Sequence, residues 1–175
     1  MKNTALIVID VQNIMTQFKA YAWDRVIDNI KELQCACRDK GIEVIFIQHH
    51  DEGLVKGSHD WELYNEVAPL EDERVFHKSI PSAFKETELE KYLKEKNYKT
   101  LILTGLQTDY CVDTNVKVAF ELGFEVITPE FTNTTFDNGG LSAKDLYEHY
   151  NHRVFKDRFS TVESVEETLL QIRER

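Results

Sequence analysis

Apolar residues in this chain occur either in short unbroken runs or at intervals of three and four positions. Residues 5–9 form an unbroken run, which is typical of a strand buried on both faces of a sheet. Residues 22–40 place Val26, Ile30 and Leu33 on one face of a helix, and Gly41 is suited to end it. The same alternation continues along the chain. It predicts strands at residues 5–9, 42–48, 74–77, 100–104, 124–128 and 153–156, and helices at residues 22–40, 87–96, 110–122, 142–150 and 161–173.

Strands that alternate with helices predict a parallel sheet with helices on both faces, because each crossover helix must pack on one side of the sheet. We therefore expect an α/β fold: a three-layer, doubly wound sandwich with a mainly parallel six-stranded sheet. The 175 residues are enough for one domain with its own core, and no linker, repeat or low-complexity segment divides them. The expectation is one domain spanning residues 1–175.

The composition and charge of the chain limit the kinds of partner that it is expected to bind. The chain is 42% hydrophobic and 30% charged, as is usual for a globular protein, and its formal net charge is -10. Its Lys and Arg residues are scattered, so the sequence predicts no nucleic-acid partner. No apolar run approaches the roughly 18 residues of a membrane helix, and Asp10 interrupts the first run too early for a signal peptide. Three cysteines make a poor disulfide framework, so we expect a cytoplasmic protein.

Three reactive side chains follow separate predicted strands. Asp10 ends the first strand, Lys78 follows the third, and Cys111 follows the fourth at the start of a helix. Because functional crevices of α/β sheets lie outside the carboxyl ends of the strands, the fold is expected to bring these side chains together. Taken singly, each has an ordinary interpretation, as a loop cap, a surface lysine or a small buried cysteine. Their shared position favours a catalytic site instead.

Each of the three groups has a chemical role that fits its type. Cys111 would attack an electrophilic carbon, and the helix start and the Lys78 ammonium predict a lowered pKa for its thiol. Asp10 would accept the thiol proton and return it to a leaving group. Backbone amides of residues 105–111 would bind a developing oxyanion.

Further side chains are candidates for the wall of a substrate pocket. Trp61 lies in a polar segment after the second strand, where it could equally anchor that segment to the core. Phe84, shortly after Lys78, is expected on the floor of the pocket. The full set of candidates is Met15, Phe18, His50, Trp61, Phe84 and Tyr110.

Three ordered blocks of sequence give a more specific indication. They are residues 6–13, LIVIDVQN; residues 78–84, KSIPSAF; and residues 105–112, GLQTDYCV. Together they resemble the isochorismatase-like cysteine hydrolases, and the similarity extends over nearly the whole chain. The resemblance implies a Rossmann-like sandwich and a catalytic triad of Asp10, Lys78 and Cys111. It also implies a cis peptide bond between Leu106 and Gln107, which would aim the Gln107 and Cys111 amides at an oxyanion.

The activity implied by the resemblance is hydrolysis of the C–N bond of a small amide through a thioester, by a homodimer or homotetramer without a cofactor. Isochorismatases proper instead cleave a vinyl ether, and the nicotinamidase branch carries a metal motif after the second strand. Here His50, Asp51 and His59 occupy that region, but their spacing does not fit the motif, so we predict no metal. A vinyl-ether hydrolase, a nicotinamidase and a non-enzymatic binding module stay open as alternatives.

Overall fold

Parallel strands form the middle layer of the structure, a computed structural model that describes residues 3–18 and 20–174. Within these residues six strands form one sheet, and every pairing between them is parallel. The strands are β1 (Thr4–Ile9), β2 (Glu43–His49), β3 (Arg74–Lys78), β4 (Thr100–Leu106), β5 (Glu125–Ile127) and β6 (Asn133–Thr134). Their order across the sheet is β3-β2-β1-β4-β5, and β6 pairs with the end of β4.

Helices cover both faces of this sheet. They are α1 (Trp23–Asp39), α2 (Leu89–Glu95), α3 (Asp113–Glu121), α4 (Ala143–His149) and α5 (Val165–Arg173). Leu6 and Val8 of β1 share a buried cluster with α1 and α5, whereas Ile7 and Ile9 share one with α2 and α3. The central strand is therefore buried on both sides, and each such side chain contributes about 1.5–3 kcal/mol on burial. This arrangement confirms the predicted three-layer α/β sandwich.

The predicted sixth strand is in the wrong place. Residues 153–156 do not form a strand, because Tyr150–Phe155 continues α4 as a π-helical turn and buries Phe155 against the cluster around α2 and α3. The sixth strand is Asn133–Thr134, whose buried side chains are polar. A two-residue polar strand has no hydrophobic run, so the pattern that revealed the other strands could not reveal this one.

Two predicted helices begin elsewhere, while the other boundaries agree closely. The predicted helix at residues 110–122 begins as a π-helical turn, Thr108–Val112, before α3. The last helix starts after Ser164, whose side chain forms a capping box with Glu167. The residue predicted to start it, Thr161, is extended and pairs with Ile127 at the end of β5. Two short 3₁₀ helices, Asn13–Gln17 and Asn65–Val67, follow β1 and precede β3.

Candidate active site

Asp10, Lys78 and Cys111 meet at the carboxyl edge of the sheet. Asp10 follows β1, Lys78 is the last residue of β3, and Cys111 lies in the π-helical turn after β4. The Lys78 Nζ atom lies 2.6 Å from Asp10 Oδ2 and 3.3 Å from Cys111 Sγ. The Lys78 side chain is 0% exposed, so this ammonium depends on its protein partners rather than on water.

Two features of the backbone bring Asp10 close to Cys111. Gly105 of β4 pairs with Ile9 of β1, directly before Asp10. Asp10 itself adopts a left-handed backbone conformation, with φ of 52°, and its N–H donates to the Ile47 carbonyl at 3.0 Å. This turn ends the pairing of β1 and fixes Asp10 over the sheet edge.

The Gln12 side chain joins the ends of β1 and β2. Its Nε2 donates to the carbonyl oxygens of His49, at 3.0 Å, and Trp61, at 2.7 Å. Its Oε1 accepts from the His49 N–H at 2.9 Å. Gln12 is fully buried, so its donors and acceptor are satisfied by backbone groups that it holds in place.

Asn115 of α3 joins the turn that holds Cys111 to the segment that follows Lys78. Its Nδ2 donates to the Cys111 carbonyl at 2.7 Å and to the Pro81 carbonyl at 3.1 Å. Its Oδ1 accepts from the Ala83 N–H at 2.7 Å. The sequence pattern gave no sign of this role, because a buried asparagine on a helix has many possible partners. The peptide bond between Leu106 and Gln107, just before the π-helical turn Thr108–Val112, is cis.

Loss of solvation governs the protonation of both Asp10 and Cys111. Loss of solvation raises the pKa of Asp10, and the Lys78 ammonium opposes that rise. Loss of solvation, then the Asp10 charge, raises the pKa of Cys111 to about 12, although Lys78 lowers it. The lowered thiol pKa predicted from sequence is therefore wrong, because burial outweighs the helix start and the ammonium. The direction of this shift favours the neutral thiol of Cys111 over the thiolate.

His49, at the end of β2, is a member of this site that the sequence reasoning missed. Its Nδ1 lies 3.2 Å from Lys78 Nζ, and its Nε2 lies 3.2 Å from Asp51 Oδ2. Because side chains alternate along a strand, the adjacent residues His49 and His50 point to different sides, but the sequence does not tell which of them points to the site. Asp109, which also neighbours Cys111 in sequence, instead accepts hydrogen bonds from Thr135 and Asn138.

A cavity of about 830 Å³ opens above Asp10 and Cys111. Three of the predicted pocket residues, Met15, Phe18 and Tyr110, line it. Phe18 is 57% exposed as a residue. Its ring contacts the Phe136 ring edge to face, with 5.7 Å between the ring centroids. Further lining residues include His49, Asp51, Leu54, Gln107, Asp137 and Asn138.

The other three predicted pocket residues lie outside this lining. Phe84 is 7% exposed and stacks on Phe124 in the core, because α3 covers it on that face of the sheet. The Trp61 ring stacks on His77 of β3, which agrees with the alternative that Trp61 anchors its loop. His50 follows the end of β2, and its backbone N–H donates to the Lys78 carbonyl. The histidine of the site is His49.

The described residues 3–18 and 20–174 contain no group of three or more His, Cys, Asp or Glu side chains placed to hold a metal ion. Asp51 contacts His49, and His59 contacts Glu62, so the set of His50, Asp51 and His59 does not converge. In the same residues, no helix is both long enough and apolar enough to cross a bilayer.

Comparisons with known proteins identify the family to which this geometry belongs. The family model of the isochorismatase domain matches residues 4–167. The uncharacterized isochorismatase family protein YddQ of Bacillus subtilis is 31% identical over 142 residues, which cover 75% of this chain and 79% of YddQ. The ureidoacrylate amidohydrolase RutB of Cronobacter sakazakii is 26% identical over 164 residues, which cover 70% of this chain and 71% of RutB. A crystal structure of an isochorismatase family protein covers 93% of this chain and 98% of its own, with a TM-score of 0.88 and 32% identity. This chain belongs to the isochorismatase family of hydrolases.

Proposed function

We propose that this protein is a cysteine-dependent hydrolase that cleaves the C–N bond of a small-molecule amide through a thioester on Cys111. The observation that carries the proposal is the buried Lys78 ammonium, 2.6 Å from Asp10 Oδ2 and 3.3 Å from Cys111 Sγ. A buried cation shared by a carboxyl group and a thiol can hold the negative charge whichever of the two carries it. We therefore assign Asp10, Lys78 and Cys111 as the catalytic triad. The amidohydrolase activity in the name of RutB supports the same bond class.

In the first half of the reaction, Asp10 takes the proton of the Cys111 thiol as Sγ attacks the carbonyl carbon. The carbonyl oxygen becomes an oxyanion, for which we propose the Gln107 and Cys111 backbone amides as donors. Asp10 then gives its proton to the leaving nitrogen and the C–N bond breaks. An amine leaves, and the acyl group stays on Cys111 as a thioester.

In the second half, water attacks the thioester and gives a proton to Asp10. The C–S bond breaks, Asp10 returns the proton to Sγ, and a carboxylic acid is released. Burial suits Asp10 to both halves, because a raised carboxyl pKa makes it a stronger base and a group that can hold a proton beside the leaving atom. Lys78 stays charged throughout.

The charges of the cavity favour an amide over an isochorismate-like dicarboxylate. Asp51 and Asp137 line the cavity, and none of the described lining residues is Lys or Arg. A substrate carboxylate would therefore face like charges at short range. Phe18, Tyr110 and Phe136 offer aromatic surface to an apolar group. We propose that the substrate is a neutral or cationic amide with an apolar substituent. The similarity to RutB supports only the class of bond that is cleaved.

We also propose that residues 1–175 form a single domain. We propose that this protein is a homodimer or homotetramer and that it is cytoplasmic. Phe120, Leu141 and Leu170 are large apolar side chains about half exposed, and such surface is often covered in oligomers. Cys35 and Cys111 are free thiols, which fits a reducing compartment. Light scattering of the purified protein measures the assembly, and a monomer at micromolar concentration would contradict this part of the proposal.

The test of the activity compares Cys111→Ala with Cys35→Ala, a matched control at an exposed thiol of α1. A panel of primary amides, ureides, N-carbamoyl amines and nicotinamide is scored by released ammonia or amine. We expect Cys111→Ala to fold and to lose turnover, Cys35→Ala to keep it, and an acyl adduct to appear on the Cys111 peptide by mass spectrometry. Amide hydrolysis by Cys111→Ala at the wild-type rate would exclude the thioester. Vinyl-ether hydrolysis that survives Cys111→Ala but not Asp10→Asn would support the isochorismatase alternative.

A further inference from the structure

Three acceptors surround the Lys78 ammonium among the residues that the structure describes. Asp10 Oδ2 lies at 2.6 Å, Cys111 Sγ at 3.3 Å and His49 Nδ1 at 3.2 Å. An ammonium group has three N–H donors and no lone pair, so it can only donate to each neighbour. His49 must therefore accept at Nδ1, and that atom cannot carry a proton in this arrangement.

This constraint fixes the tautomer of His49. With Nδ1 accepting, the ring proton is on Nε2, which lies 3.2 Å from Asp51 Oδ2 and donates to it. The other oxygen of Asp51 accepts from the Gly53 and Leu54 amides, at 2.8 Å each. The Asp51 carboxylate cannot turn away from His49 without losing these bonds.

The hydrogen bonds form one connected path from the loop after β2 to the buried ammonium. The backbone of His49 is fixed at the same time by the Gln12 side chain, which bonds to both its N–H and its carbonyl. Because Lys78 is inaccessible to water, its third N–H would be left without a partner if the imidazole moved. A neutral acceptor at this point satisfies that N–H and adds neither a competing anion nor a second cation.

We propose that His49 and Asp51 are a positioning pair that holds the Lys78 ammonium between Asp10 and Cys111. Asp51 selects the tautomer, and His49 uses its free lone pair to direct the ammonium. This inference rests on the proposed function, because the turnover that is measured is the proposed amide hydrolysis. The tautomer and the reactivity of Cys111 can both be measured without a substrate.

The conservative substitution Asp51→Asn separates this role from a structural one. The amide oxygen can still accept from Gly53 and Leu54, so the loop is preserved. The amide nitrogen then faces His49 Nε2 as a donor, which moves the ring proton to Nδ1 and turns an N–H toward the Lys78 ammonium. The positioning role therefore predicts that Asp51→Asn is as harmful as His49→Ala, whereas a structural role predicts that it is mild.

The substitution His49→Asn should be the milder change at the ring position. Its side-chain oxygen can lie close to the place of Nδ1 and accept from Lys78, although the contact with Asp51 is lost. His59→Asn is the matched control, because the His59 side chain is 82% exposed and lies away from Lys78. Thermal melting of each variant shows whether it has folded.

Two measurements test the pair. The first is ¹⁵N NMR of labelled histidine, in which the resonances lost in His49→Asn identify His49. We expect the Nε2–H tautomer in the wild type and the Nδ1–H tautomer in Asp51→Asn. The second is the pH dependence of Cys111 alkylation by iodoacetamide. We expect its midpoint to rise in His49→Ala and Asp51→Asn, to stay near the wild type in His49→Asn, and to be unchanged in His59→Asn.

Turnover should follow the same order, with kcat reduced about 10²-fold in His49→Ala and Asp51→Asn, the scale of a misplaced catalytic group. A proton on Nδ1 in the wild type would overturn the proposal. So would folded His49→Ala and Asp51→Asn proteins whose Cys111 alkylates as in the wild type. If amide hydrolysis survives Cys111→Ala, the proposed function fails instead, and the tautomer and alkylation results still decide the positioning role.

Discussion

Gly105 packs so closely on Ile9 that a Cβ atom at Gly105 would lie 2.0 Å from the Ile9 carbonyl oxygen. Its φ of +115° is also one that L-residues rarely adopt. Asp10 follows Ile9, and the π-helical turn that holds Cys111 begins at Thr108, three residues after Gly105. This contact between backbones therefore sets the separation between the acid and the thiol.

Replacing Gly105 by alanine should destabilise the protein by at least about 3 kcal/mol, because both the contact and the backbone conformation oppose a Cβ atom. Gly123→Ala is the matched control: its φ is +87°, but a Cβ atom there would meet nothing within 4 Å. We expect it to lose only about 1–2 kcal/mol, the conformational part. Urea denaturation measures both, and equal losses would show that the approach to Ile9 does not matter.

The layers of the fold could be predicted from the sequence, because buried parallel strands have unbroken apolar runs. Residues 5–9 and 44–47 are such runs, and both lie in buried strands. The polar strand β6 and the π-helical turn Tyr150–Phe155 were not predictable in this way, since tertiary contacts rather than periodicity determine them. Asn133 of β6 is held by buried hydrogen bonds to Thr108 and Asn151, and a pattern of apolar residues cannot show such bonds.

The three strand-end residues could be predicted because topology alone places them at one edge. The raised pKa of the Cys111 thiol could not be predicted. A sequence shows the start of a helix and a nearby cation, but it does not show how deeply the thiol is buried. The choice between His49 and His50 had the same limit. One of two adjacent strand residues must face the site, and only the register of β2 against β3, with His49 beside Lys78, decides which.

The raised pKa of Cys111, about 12, predicts how its alkylation depends on pH. The thiol should react with iodoacetamide at a midpoint well above the roughly 8.5 of a free cysteine. Asp10→Asn should lower that midpoint, because it removes a negative charge that disfavours the thiolate. The same substitution should abolish turnover, because the proton acceptor is gone. Faster alkylation with lost activity would separate the role of Asp10 as a base from any role in forming a resting thiolate.

Lys78→Met is the complement of that experiment. It removes the charge that lowers the pKa of Cys111, so the midpoint of alkylation should rise. The exposed Cys35 reports on the reagent in the same sample, read by peptide mass spectrometry. A shift of Cys111 in the same direction for both substitutions would contradict the charges assigned to the site.

Phe18 and Phe84 provide a matched pair that separates substrate contact from packing. Phe84 is buried on Phe124, so Phe84→Ala should cost about 3–5 kcal/mol in the free energy of unfolding. Phe18 is largely exposed at the cavity mouth, so Phe18→Ala should change stability by no more than about 0.5 kcal/mol. Loss of one aromatic contact, of about 1 kcal/mol, should raise KM for an amide with an apolar substituent by about 5-fold and leave kcat nearly unchanged. Steady-state kinetics and urea denaturation measure these effects. If KM for that amide and for an unsubstituted amide respond alike to Phe18→Ala, the ring does not contact the apolar group, and the wall of the pocket must be sought at Tyr110 or Met15 instead.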